Sequence, residues 1–309
     1  MTAPNRSIHL TLRKPFWLAQ FSAMACPCEA LIAVDDKTQA SQIAQVIATE
    51  AWRIEDKYSR FTKTGITAAI NNANGQPITL DDETTALFHY AQQLYELSDG
   101  LFDISAGVLK NIWAFHQKKT AGQQELPSQA SIQAVLPLIG LTKAKLTGNT
   151  LALPKGMQID FGGIGKEYAA DKSLRLALEG NASNASTAIL VNLGGDLVAS
   201  QSLPKRPWHI GFNDTKADNN LTASERLTFQ DGAVTTSGTS QRQWVIDGKS
   251  YSHLLNPKTG WPVLNPPKAV TVAAPTCMQA GMLSTLIMLQ GEHAETFAHN
   301  EAIKCWITR

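Results

Sequence analysis

Gly194 and Gly195 separate two apolar runs, 188–193 and 197–200, and a glycine pair in that setting marks a tight two-residue hairpin. The turn commits the flanking runs to antiparallel pairing. Further strand-like runs at 208–212, 244–246 and 269–274 extend the series, and 303–307 is placed to close a sheet edge. Helices are expected over about 40–58, where Ile43, Val46, Ile47 and Ile54 recur at helical spacing, and from Asp81 or Asp82 to a stop at Gly100. Two more are expected over 166–179 before Gly180 and 277–289 before Gly291, with a short one following. Apolar residues make up 43% of the 309, enough for a substantial core, so the expectation is an α+β fold of mixed, largely antiparallel sheets with packed helices. One domain over 1–309 is expected, with an irregular, partly helical excursion near 118–150, where 122–148 is rich in Gln, Ser, Thr and Pro.

The 27 Lys and Arg balance 26 Asp and Glu, leaving a formal net charge of +1, so no global field draws in nucleic acid or an anionic membrane surface. No apolar run reaches spanning length and the first residues lack a signal-peptide pattern, so a soluble protein that stays in the cytoplasm is expected. Cys26, Cys28, Cys277 and Cys305 lack the spacing of a zinc site or a disulfide framework. The run at 23–32 reads as a buried strand with Cys26 and Cys28 on one face, as small core residues or as a redox pair.

Chemistry is offered at a few segments. In IDFGGIGKEYAAD a strand-like run at 157–161 leads into Gly162, Gly163 and Gly165 and then a helix, so exposed amides and Lys166 stand where a pyrophosphate can approach. A Walker loop would need Gly at Asp160 and Ser or Thr at Glu167, and GxGxxG from Gly163 would need Gly at Tyr168, so neither nucleotide signature is met. A tight strand-to-helix connection is the alternative reading. His253 precedes the turn residues Asn256, Pro257, Thr259 and Gly260, a placement suited to a general base or to a structural histidine. In SDGLFDIS, Asp103 either accepts hydrogen bonds from a ligand beside Phe102 or caps the next turn above a core Phe102.

Eight stretches, in order, resemble the ApbE family of FAD:protein FMN transferases: AMACPCEALI, YSRFTKTGITAAIN, SDGLFDISAGVLKNIWAF, IDFGGIGKEYAADK, ILVNLGGDLVA, TTSGTSQRQW, YSHLLNPKTGWPV and QAGMLSTLIMLQG. The resemblance implies two lobes around a flavin cleft, and transfer of FMN from FAD to a threonine hydroxyl of a target flavoprotein with release of AMP. It implies FAD contacts at Met24, Phe61, Leu101, Phe102, Asp103, Asp160, Lys166 and Leu254, and His253 as the base. It also implies Mg²⁺ held by the carbonyl of Gly163, by Thr285 and by Ser284. A flavin-binding protein without efficient transfer and an FAD pyrophosphatase are the alternatives.

One departure stands out. Where the family has an aspartate one helical turn before the metal-binding threonine, this chain has Gly281. The loss implies a weaker metal site, and an aspartate restored at 281 is expected to strengthen it. Glu167 is a nearby carboxylate, but a side chain one residue past Lys166 is expected to point elsewhere.

Overall fold

The computed structural model describes residues 6–115, 125–181, 187–212, 225–239 and 243–309. Its organising element is an eight-stranded sheet: β1 (His9–Arg13), β2 (Phe16–Ala23), β3 (Cys26–Ile32), β4 (Ile189–Leu193), β5 (Asp196–Ala199), β6 (Gly232–Gly238), β7 (Ala269–Ala274) and β8 (Cys305–Thr308). The strands lie side by side in chain order and every neighbouring pair is antiparallel. The Gly194–Gly195 turn behaves as its sequence predicts, setting Leu193 opposite Asp196. The terminal run does close the edge, as β8 against β7.

Four long helices use the segments that leave the sheet: α1 (Lys37–Tyr58), α2 (Asp82–Leu97), α3 (Gly165–Glu179) and α4 (Cys277–Leu289). Asp36 caps α1 by accepting from the Gln39 amide at 2.8 Å, and Asp81 caps α2 by accepting from Thr84 at 2.8 Å. The buried stripe of α1, including Ile43, Ile47, Ala51 and Ile54, joins Ala30, Ile32, Val191 and Leu193 of the sheet in the main core. The Trp52 indole donates to the Ser22 carbonyl at 2.8 Å, fixing α1 along β2.

The start of α3 is held by a half-buried charge network. Glu83 of α2 accepts from Arg53 and Lys57 of α1, at 2.6 Å each, and from Tyr168 (2.8 Å) and Lys172 of α3. Burial pushes the Glu83 carboxyl up, but these donors outweigh it and hold the group well below the ordinary carboxylate range. A network whose members are all paired sets the relative positions of three helices, and with them the first turn of α3.

Two local expectations change. The run at 23–32 is not one strand: Met24 (φ 52°) and Ala25 (φ 57°) form a two-residue turn joining β2 to β3, with Ala23 opposite Cys26. The run at 157–161 is not a strand of the sheet, having only an isolated bridge from Gln158 to Ala106, and Phe161–Gly163 is a 3-10 turn. Of the excursion near 118–150, residues 118–124 lie outside the described residues. The rest carries the Gln129–Val135 helix and the strands Lys145–Thr147 and Thr150–Ala152, which pair with each other, the second also pairing with Ile78–Thr79. No helix among the described residues is long and apolar enough to cross a membrane.

Candidate active site

The glycine turn is built from below. Asn71 brackets Ile159, donating to its carbonyl at 2.9 Å and accepting from its amide at 2.8 Å, which holds 157–161 extended without a strand partner. Asp160 then caps the 3-10 turn by accepting from the Gly162 amide at 2.8 Å. Its other oxygen accepts from Lys110 at 2.5 Å and Arg60 at 3.3 Å. Burial raises the Asp160 carboxyl, but these cations and the Gly162 amide outweigh it and bring the group down to about 2. Stability from this depressed group is present above the unfolded carboxylate range and is lost as pH falls from about 3.9 towards 2. D160N is therefore expected to cost about 2 kcal/mol at pH 7 and much less at pH 2. Urea unfolding at the two pH values measures the difference.

Gly162 and Gly163 are exposed, and the turn rests on Phe102: a Cβ at Gly163 would lie 3.3 Å from the Phe102 ring. Phe102 is itself buried. Both halves of the bland reading of SDGLFDIS hold, since Asp103 also caps its turn, accepting from the Ser105 amide at 2.7 Å. Burial raises the Asp103 carboxyl, opposed by Ser105 and by the Leu141 and Gly140 amides. Leu101 packs beside Phe102 at the edge of the main core.

Lys166, in the first turn of α3, pairs with Asp196 at 2.6 Å. Asp196 is the first residue of β5, placed there by the Gly194–Gly195 turn. Burial lowers the Lys166 ammonium, but the charges of Asp196 and Glu167 outweigh it and hold the lysine protonated far above neutrality. Burial also raises Asp196, with Lys166 opposing. The β2–β3 turn lies alongside: a Cβ at Gly194 would meet the Cys26 sulfur at 2.6 Å, and the Cys26 and Cys28 sulfurs are 3.9 Å apart. Met24 itself packs against the main core. Phe61 is 67% exposed, with the Arg60 guanidinium 5.9 Å from its ring centroid.

Helices α3 and α4 face each other in a definite register. Asp171 of α3 accepts from the Cys277 amide at 2.8 Å and the Met278 amide at 2.9 Å, satisfying the start of α4. One turn earlier on α3 and later on α4, Glu167 covers Gly281: a Cβ there would lie 2.6 Å from Glu167 Cγ. Ser284 donates to the Gly281 carbonyl at 3.1 Å and lies 2.8 Å from the Ser237 hydroxyl of β6. Ser237 is also 3.4 Å from Thr285 Oγ1. Ser237 escapes the sequence reading although it lies in the TTSGTSQRQW stretch, because its approach to α4 is set by sheet order.

Glu167 does not point elsewhere. Its aliphatic stem occupies the space that a side chain at 281 would need, so G281D in the otherwise unchanged protein meets a collision rather than an open ligand position. Burial and the charge of Asp196 raise the Glu167 carboxyl, with Lys166 opposing.

His253 follows the Lys249–Ser252 strand and is half-buried. The loop beyond it is tied back on itself: Val263 donates to the Leu254 carbonyl, and Asn256 to the Trp261 carbonyl, at 2.8 Å each. Leu254 packs against both the main core and the cluster that α4 forms with β7. One concavity runs between Ile70 and Gln158 and another lies over Leu31 and Leu190 of the sheet; neither is lined by a predicted site residue.

An antiparallel sheet backed by helices, with an exposed glycine turn and a lysine at the start of one helix, defines an α+β protein. The chain belongs to the ApbE family, whose model matches residues 24–307. A protein of Chlamydia pneumoniae called FAD:protein FMN transferase is 30% identical over 244 residues, 76% of this chain and 72% of the relative. One of the same name from Vibrio cholerae is 26% identical over 262 residues, 84% of this chain and 75% of the relative. The crystal structure of the ApbE protein of Thermotoga maritima superposes with a TM-score of 0.83 at 27% identity, covering 94% of both chains.

Proposed function

We propose that this protein is an Mg²⁺-dependent FAD:protein FMN transferase, moving FMN from FAD to a threonine hydroxyl of a target flavoprotein and releasing AMP. The observation that supports this reading is the packing of α3 on α4 through Asp171 and Glu167, with Lys166 in the first turn of α3 and the Ser237, Ser284 and Thr285 hydroxyls close together on β6 and α4. Named relatives of the family supply the reaction.

In this reading the pyrophosphate of FAD lies on the amides of the glycine turn, with the Lys166 ammonium, held charged by Asp196, against its negative oxygens. Met24 and Phe61 offer apolar surface to the rings, and Leu101, Phe102 and Leu254 complete the walls. Asp160 and Asp103 order the two loops through their amide contacts. His253 takes the proton of the acceptor threonine as its oxygen bonds to the FMN phosphorus and the bond to AMP breaks, AMP leaving with the bridging oxygen. The donor types fit a hard cation: the Gly163 carbonyl, the Ser284 and Thr285 hydroxyls and the buried Glu167 carboxylate would all offer it oxygen. Mg²⁺ bound there supplies charge neutralisation at the pyrophosphate. The acceptor and the setting in the cytoplasm belong to this same reading.

Incubation with FAD, Mg²⁺ and a threonine-bearing acceptor is expected to give covalent flavin fluorescence on the acceptor in a denaturing gel, with free AMP in equal amount. AMP without labelled acceptor would make the protein an FAD pyrophosphatase. Bound FAD with neither product would make it a flavin-binding protein.

A further inference from the structure

Oε2 of Glu167 is buried and has no hydrogen-bond partner among the described residues, on a residue only 9% exposed. A buried carboxylate oxygen left unpaired is costly, so it marks a place where a ligand is to be expected. The surroundings narrow the choice. Glu167 lies against Gly281 of α4, where its Cγ, Oε1 and Cδ would be 2.6, 3.0 and 3.1 Å from a Cβ at that position. Any side chain at 281 would force the Glu167 side chain to move. The nearest turn of α4 then presents Ser284, whose hydroxyl is bonded to the Gly281 carbonyl at 3.1 Å, beside Ser237 and Thr285. These are neutral hard oxygens. The neighbouring carboxylate, Asp196, is already paired with Lys166.

We propose that Glu167, reaching from α3 across the gap left by Gly281, is the protein carboxylate that binds a divalent cation between α3 and α4. This rests on the reading that the cleft holds a cation together with a dinucleotide. Among the described residues no group of three or more His, Cys, Asp or Glu is disposed around a metal, so the site offers one carboxylate with hydroxyl and carbonyl oxygens. Such a set suits Mg²⁺ or Mn²⁺, which take remaining ligands from water and from phosphates, and disfavours Zn²⁺. The carboxylate and the glycine form a matched pair: either one helix or the other carries the acid, and the opposite position must be small.

The test is direct cation binding, followed by Mn²⁺ electron paramagnetic resonance on the full chain with and without FAD. Wild type is expected to bind one Mn²⁺ per chain, more tightly with FAD. The near-isosteric E167Q is expected to lose about tenfold or more in Mn²⁺ affinity while keeping the wild-type circular dichroism. Moving the acid across the helix pair in E167G/G281D is expected to restore affinity to within about threefold. G281D alone is expected to melt at a lower temperature than either, because both side chains claim one space. E167Q binding Mn²⁺ like wild type would overturn the assignment of Glu167 and leave the cation reading standing. Wild type binding no Mn²⁺, even with FAD, would overturn both.

Discussion

H253A is expected to lower the rate of FMN transfer by about 10²- to 10⁴-fold while FAD affinity stays within about threefold of wild type. The asymmetry follows from where the side chain is carried. His253 does not belong to the glycine turn or to the α3–α4 pair, which hold the pyrophosphate in the proposed reading. It stands at the end of the Lys249–Ser252 strand, before a loop closed by the Leu254–Val263 and Asn256–Trp261 hydrogen bonds. Loss of the imidazole removes a proton acceptor from the attacking hydroxyl and leaves that backbone in place. Gel fluorescence in single-turnover mode gives the rate, and quenching of flavin emission gives the affinity. Transfer within tenfold of wild type would remove His253 as the base; a parallel loss of FAD affinity would make it a binding residue.

Where local chemistry decides, the sequence can be read. Helix α2 is legible from both ends because Asp81 caps it and Gly100, at φ 74°, ends the excursion from helical backbone. Helix α4 is legible between Thr276, which accepts from the Gln279 amide, and Gly291, at φ 60°. The β4–β5 hairpin is legible because two glycines with positive φ leave few alternatives. The β2–β3 hairpin is not, since its turn puts Met24 and Ala25, neither a usual turn residue, into left-handed backbone. The run at 157–161 has strand composition but meets only the 104–106 segment, through one bridge and the Asp160 amide on the Ile104 carbonyl, and is bracketed by the Asn71 side chain, which no periodicity reports.

The same division applies to the site. Lys166 and the glycine turn announce themselves because a helix start beside glycines is a local pattern. The partner that holds Lys166, Asp196, comes from the far side of a turn whose position depends on sheet order. Gly281 reads as the loss of a carboxylate for the same reason. Only the antiparallel register of α3 and α4, set by Asp171 on the Cys277 and Met278 amides, brings Glu167 over it.

W113A is expected to destabilise the protein by about 3–5 kcal/mol, read as a lowered urea midpoint, and to slow transfer as well. Trp113 is fully buried at the centre of an aromatic group, 5.5 Å from Phe115, 6.1 Å from both Trp244 and Tyr251, and 5.3 Å from Trp261 between ring centroids. Its indole N–H donates to the Gly260 carbonyl at 2.8 Å, and Gly260 in turn donates to the Asn256 carbonyl at 2.8 Å. One side chain therefore fills a core and fixes the loop that follows His253. W113F separates the two effects: it keeps much of the apolar volume but leaves the Gly260 carbonyl unpaired, at a cost of about 1–3 kcal/mol. If the loop positions the imidazole, W113F will slow transfer at temperatures where the protein is fully folded. A folded W113F with the wild-type rate would show that His253 is positioned without the Trp113–Gly260 hydrogen bond.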